Sequence, residues 1–179
     1  YWQNRLDLNP TNPMTNNPAD HAAVEVFLKS WGVYQEIIRH NYMFHREISA
    51  ATRTALEDDA LGKTLRILDL GCGDASMALP LLTQEQITSY KGCDLSKPAL
   101  DIAKKSLATL SIPHRLICDD MLRFMTEQTD GSANLILASY AIHHLNANDK
   151  QCLIREISRV LSPDGRFILI DIFRRSEEH

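Results

Sequence analysis

The run Asp69-Leu70-Gly71-Cys72-Gly73-Asp74-Ala75 carries the strongest chemical signal in the chain. Two glycines separated by one residue let the backbone turn sharply and approach a ligand closely, because neither has a Cβ. A helix opening directly behind them offers free N–H groups and a partial positive charge. Such a loop can hold either a dinucleotide pyrophosphate or the amino-acid end of S-adenosylmethionine. The dinucleotide fingerprint G-x-G-x-x-G needs a third glycine where this chain has Ser76, so that match fails. Further on, Asp94 closes the segment Gly92-Cys93-Asp94-Leu95-Ser96. A carboxylate at that point accepts both hydroxyls of an adenosine ribose, a group both ligands contain. The adjacent acids Asp119 and Asp120 stand before Met121, where one of them can cap the helix that follows. His143, His144 and Asp171 are the side chains suited to proton transfer.

These residues fall at the joints of an alternating pattern. Residues 65–70, 90–94, 115–119, 133–140 and 166–172 read as short apolar strands. Between them, residues 74–82, a stretch capped by Ser96, residues 121–126 and residues 148–161 read as helices, and Ser162-Pro163-Asp164-Gly165 reads as a turn. Alternating strands and helices predict an α/β fold, a mostly parallel sheet covered on both faces. Two helical patterns precede it, over residues 19–40 and 43–61, with Gly32 able to divide the first and Gly62 stopping the second. Residues 1–20, rich in Pro and Asn, read as a loop or a tag. The organisation expected is therefore a 1–20 lead, a helical cap over 21–62 and a core over 63–179.

The loop resembles motif I of the class I S-adenosylmethionine-dependent methyltransferases, (D/E)-x-G-x-G-x-G, with Ala75 in place of the third glycine. Residues 92–96 resemble the second motif, residues 138–145 (Ala-Ser-Tyr-Ala-Ile-His-His-Leu) motif IV of small-molecule members, and residues 161–167 the turn before the fifth strand. The resemblance covers residues 65–173 and implies a three-layer Rossmann-like fold with S-adenosylmethionine as cofactor. It implies cofactor contacts from Asp69, Gly71, Cys72, Gly73, Asp94 and Leu95. An acid after the third strand accepts the adenine amine and Met121 offers its backbone N–H. Spacing to Phe124 favours Asp120 for the acid, with Asp119 the alternative and the other of the two capping the helix. Tyr140 is expected near the transferred methyl. An aromatic of the N-terminal helices reaches the cofactor carboxylate, and Tyr42 is the choice among Tyr34, Arg39, His40, Tyr42, His45 and Arg46. His143, His144 and Asp171 are the candidate bases, with adjacent histidines at a strand end pointing in different directions.

Composition narrows the classes. A net charge of −4 lacks the basic balance of a general nucleic-acid binder. No apolar run approaches the ~20 residues of a membrane helix, and no basic-then-apolar segment opens the chain, so a cytoplasmic location is expected. Cys72, Cys93, Cys118 and Cys152 form no C-x-x-C pair, so neither zinc nor another metal is expected. Methyl transfer to a small-molecule nucleophile (O, N, S or C) is the function expected. A non-catalytic S-adenosylmethionine-binding module and an RNA or protein methyltransferase are the alternatives. Ser139-Tyr140-Ala141-Ile142 is unlike the N-P-P-(Y/F) motif of enzymes that methylate DNA bases. The family sheet resembles seven strands, and residues 174–179 are too few for the last two. The fifth strand is therefore expected to be an apolar edge, covered by a second copy in a homodimer or by residues 1–8, and turnover is expected to be weak.

Overall fold

The computed structural model describes residues 31–57, 64–82 and 87–172. Two helices come first, α1 (Trp31–Arg39) and α2 (His45–Glu57). The core follows as β1 (Leu65–Leu70), α3 (Leu79–Leu82), β2 (Ile87–Asp94), α4 (Lys97–Leu107), β3 (His114–Cys118) and α5 (Met121–Thr126). It continues with β4 (Ala133–Ser139), a 3-10 turn (Ile142–His144), α6 (Ala147–Val160) and β5 (Leu161–Ile170). The five strands form one parallel sheet in the order β3-β2-β1-β4-β5, the expected Rossmann-like arrangement.

Side chains alternate across the strands, so each strand serves two cores. Ile67, Leu135 and Leu137 pack with Leu81, Leu82 and Leu107 from α3 and α4. Their neighbours Leu68, Leu70 and Ile136 pack on the opposite face with Phe124, Leu153 and Ile157 from α5 and α6. Three layers result. Burial of each such side chain contributes about 1.5–3 kcal/mol, which is why continuous apolar strands take the centre of the sheet. Ser96 caps α4, its hydroxyl accepting from the Ala99 N–H at 3.3 Å. Asn146 caps α6 in the same way through the Asp149 N–H.

Two expected elements differ. The helix expected over 74–82 is confined to Leu79–Leu82. Gly71, Gly73 and Ala75 all have positive φ (68°, 54° and 63°), so the backbone leaves the right-handed region three times and cannot propagate a helix there. A helix N-terminus directly behind the glycines is therefore not what the loop offers. The turn at residues 162–165 lies inside β5 as an irregularity: Ala133 pairs with Leu161 but Leu135 pairs with Arg166. A Cβ at Gly165 would lie 2.8 Å from the Leu161 side chain and 2.9 Å from the Ser162 carbonyl oxygen, so the excursion folds back tightly on itself.

Among the described residues β5 is a sheet edge, and no helix is long and apolar enough to cross a membrane. The expected lead over 1–20, residues 19–30 of the helical pattern expected over 19–40, the cover by residues 1–8 and the stop at Gly62 lie outside the described residues.

Candidate active site

In this strand order the chain leaves β1 toward β2 on one side, while β4 leads to β5 on the other. The loops leaving the carboxyl ends of β1 and β4 diverge there and open a crevice. A cavity of about 380 Å³ lies at that point. It is walled by residues 71–74, 93–95, 119–121, 139–141 and 143–145, and by Tyr34, Ile37 and Met43 from the N-terminal helices. Of the residues named from sequence, Asp69, Gly71, Cys72, Gly73, Asp94, Leu95, Asp119, Asp120, Met121, Tyr140, His143 and His144 line it.

The floor is set by backbone. A Cβ at Gly71 would lie 2.4 Å from that of Ala141, so only glycine lets the β1 loop meet the β4 loop. Asp94 ties the loop to β2: one carboxylate oxygen accepts from the Gly73 N–H at 2.8 Å and the other from the Ser96 N–H at 2.7 Å. Burial raises the Asp94 pKa, and those two N–H groups pull it back down. Each oxygen keeps a further lone pair for a ligand hydroxyl. Beneath the loop, Asp69 is buried and accepts from the Tyr90 hydroxyl at 2.8 Å. Desolvation pushes its pKa up to about 7. Burial likewise raises the Cys72 thiol, so Cys72 is a packing thiol and not a thiolate.

The helix cap falls to Asp120 and not to Asp119, the acid that the favoured assignment left for it. Asp120 is the helix cap, its Oδ1 accepting from the Leu122 and Arg123 N–H groups at 2.8 and 3.2 Å. Asp119 receives the Arg123 Nε at 2.7 and 2.8 Å, and that hydrogen bond lowers its pKa. Both carboxylates stay on the cavity wall.

The choice of Tyr42 is corrected. Its ring is 71% exposed and stacks on His40, away from the cavity. The aromatic that does reach the cavity is Tyr34. Burial, followed by the charge of Asp74, holds its hydroxyl well above the ordinary range. Helical spacing carried that signal: Tyr34 shares a face with Ile37, whereas Tyr42 follows the end of α1. Tyr140 adopts a positive φ of 52°, donates its N–H to the Ile170 carbonyl at 2.7 Å, and donates its hydroxyl to the Met43 carbonyl at 2.7 Å. That second bond draws the α1–α2 connection down beside the cavity.

The histidines do not diverge as expected for a strand end. They sit on the 3-10 turn with ring centroids 4.0 Å apart. Asp171 lies behind the cavity wall and not on it. Its side chain is 3% exposed and holds the His143 Nδ1 at 2.6 Å and the His143 backbone N–H at 2.9 Å. With Nδ1 facing a carboxylate, Nε2 is the nitrogen left to take a proton. Burial, then the neighbouring His143, lowers the His144 pKa. Among the described residues no group of three His, Cys, Asp or Glu is placed to hold a metal.

The donor set suits S-adenosylmethionine. Carboxylates at Asp74, Asp94 and Asp119 offer acceptors for hydroxyls and amines and favour a cation, beside apolar residues such as Ile37, Met43, Met77 and Met121. An open parallel sheet with this site defines a Rossmann-like nucleoside-binding domain. Residues 67–165, more than half of the chain, match the family model described as "Methyltransferase domain", and the chain belongs to that family, the class I S-adenosylmethionine-dependent methyltransferases. S-adenosylmethionine is the methyl donor that this membership brings. The chain is 26% identical over 117 residues to a carboxy-S-adenosyl-L-methionine synthase of Actinobacillus succinogenes, covering 63% of this chain and 47% of the relative. It is 25% identical over 147 residues to a 27-O-demethylrifamycin SV methyltransferase of Amycolatopsis mediterranei, covering 79% and 52%. It thus spans about half the length of these curated relatives. A solved SAM-dependent methyltransferase of Leishmania major superposes with a TM-score of 0.62 at 21% identity, over 70% of this chain and 49% of that one, and shows the shared fold.

Proposed function

We propose that this chain transfers the methyl group of S-adenosylmethionine to a hydroxyl or amine of a small molecule, with His143 as general base. The observation that carries this is the His143–Asp171 pair at 2.6 Å, set beside the cavity that the glycine loop and Asp94 share. A bound sulfonium supplies an already activated methyl. The protein's remaining tasks are alignment and removal of the acceptor's proton. Asp171 fixes the His143 tautomer and stabilises the imidazolium that forms when Nε2 takes that proton. Tyr140, through its bond to Met43, holds the α1–α2 connection over the reacting groups and restricts water. The confined cavity and the net charge of −4 favour a small acceptor over a nucleic acid. The relative from Amycolatopsis mediterranei, a 27-O-demethylrifamycin SV methyltransferase, supports the same reading.

The test is a panel of phenols, alcohols and amines incubated with S-adenosylmethionine, read by formation of S-adenosylhomocysteine. His143→Gln and Asp171→Asn are expected to lower kcat by roughly 10²–10⁴ while S-adenosylhomocysteine affinity stays within about twofold. Undiminished turnover in His143→Gln removes the base assignment. Binding of S-adenosylhomocysteine with no acceptor turned over favours the binding-module alternative.

A further inference from the structure

The helices α1 and α2 wall the candidate active site, and they are attached to the core differently at their two ends. The far end of α2 is secured by apolar burial, with Leu56 inside the core cluster of Ile67 and Leu135. Beside it the Arg166 Nη1 donates to the Ala55 carbonyl at 3.0 Å. The near end is the α1–α2 connection, which sets Met43 on the cavity wall with Tyr34 and Ile37. There the Tyr140 hydroxyl donates to the Met43 carbonyl at 2.7 Å, and the His45 ring packs 5.2 Å from the Tyr140 ring.

The near end is held against several opposing costs. Asn41 and Phe44 bracket the connection with φ of 57° and 58°. Asparagine tolerates the left-handed region, whereas for phenylalanine it is a strained conformation. The Phe44 ring is 65% exposed, so its packing offsets little of that strain. Docking of α2 also shuts away the His45 Nδ1 and the Ser49 hydroxyl, which are buried without a hydrogen-bond partner. Water would bond both, so each atom favours the undocked state. Strained backbone and unanswered buried polar atoms, gathered in one segment beside a ligand cavity, mark a part of the fold that opens ahead of the rest.

We propose that α1 and α2 form a cover over the cavity that opens from its near end to exchange ligand, with Tyr140 as the positioning residue whose hydroxyl latches it shut. The buried far end of α2 is the pivot. A ligand that touches Tyr34, Ile37 and Met43 binds the docked state better than the undocked one, so occupancy shifts the cover toward closure. The inference rests on the reading of this cavity as the S-adenosylmethionine site and not on the identity of the base.

The test follows backbone amide exchange of the whole chain by mass spectrometry, with and without saturating S-adenosylhomocysteine, and times the release of radiolabelled S-adenosylhomocysteine. In the free chain, amides of α1 and the first half of α2 are expected to exchange roughly tenfold faster than those of β1 and β4, and to slow on binding. Tyr140→Phe removes the latch hydroxyl and keeps the ring. It is expected to speed exchange of the cover and release of the ligand by about threefold to tenfold. Phe44→Gly relieves the left-handed strain at a residue off the cavity wall, and is expected to slow both by about twofold to fivefold. The opposite signs separate a latch from general destabilisation, which would speed exchange across the sheet as well. Exchange of α1 and α2 indifferent to S-adenosylhomocysteine, or the two variants shifting release in the same direction, overturns the proposal. Neither readout requires turnover, so failure of the His143 assignment and failure of the cover are separate results.

Discussion

Asp69 shows how a single buried group couples the site to pH. It lies under the glycine loop, bonded to Tyr90, with a pKa near 7 caused first by desolvation. An unfolded aspartate titrates at about 3.9. Between roughly pH 4 and 7 the folded chain keeps a proton that the unfolded chain has lost. The stability contributed by neutral Asp69 is therefore complete below about pH 4 and is lost as the pH rises through about 7. Its ceiling is about 4 kcal/mol at 1.36 kcal/mol per pKa unit. Asp69→Asn keeps an acceptor for Tyr90 and cannot ionise. The expected outcome is that the wild-type Tm falls relative to this variant between pH 4.5 and 8, measured by scanning calorimetry. Parallel curves would mean that Asp69 is ionised throughout.

At the scale of elements, the end of β3 and the start of α5 rest on one side chain. The Asp120 carboxylate takes two of the four orphan N–H groups of α5, and α5 carries Phe124 into the core. Asp120→Ala is expected to cost about 1 kcal/mol, read as a lower urea midpoint at constant m-value. Asp120→Asn, which also caps, is expected to restore most of it. Equal midpoints for wild type and Asp120→Ala would show that packing of Phe124 alone holds the helix. The same comparison separates the two acids, because Asp119 makes no cap and Asp119→Asn should leave the midpoint nearly unchanged.

For the whole molecule, the cavity joins the two halves of the sheet to the N-terminal helices, so a ligand there stabilises all of them together. S-adenosylhomocysteine at about a hundred times its Kd adds about 2.7 kcal/mol. At roughly 2–4 °C per kcal/mol for a domain of this size, Tm should rise by roughly 5–11 °C. NAD at the same concentration should leave Tm unmoved, since Ser76 stands where its loop needs glycine. Asp94→Ala removes a buried acceptor worth about 1–3 kcal/mol and should weaken S-adenosylhomocysteine about tenfold to a hundredfold, with a matching loss of the thermal shift. An undiminished shift in Asp94→Ala would separate Asp94 from ligand binding.

The sequence by itself determined the alternation of strands and helices, the five-strand core, the Ser96 cap and the position of the glycine loop. All of these rest on periodicity and on hydrogen bonds between residues a few places apart, which neighbouring residue types encode directly. The loop's true conformation was less legible. A sequence pattern reports that glycines are present, and only the folded backbone shows that Ala75 also turns left-handed and delays the helix to Leu79. Tertiary structure alone decided the pairings across the molecule. His143 meets Asp171, 28 residues away, because the register of β4 against β5 and the 3-10 turn bring their chain ends together. Tyr34 replaces Tyr42 because the face of α1 that carries Tyr34 and Ile37 lines the cavity. These arrangements depend on the docking of elements whose apolar faces could each be read, but whose mutual position is fixed by packing between residues far apart in the chain.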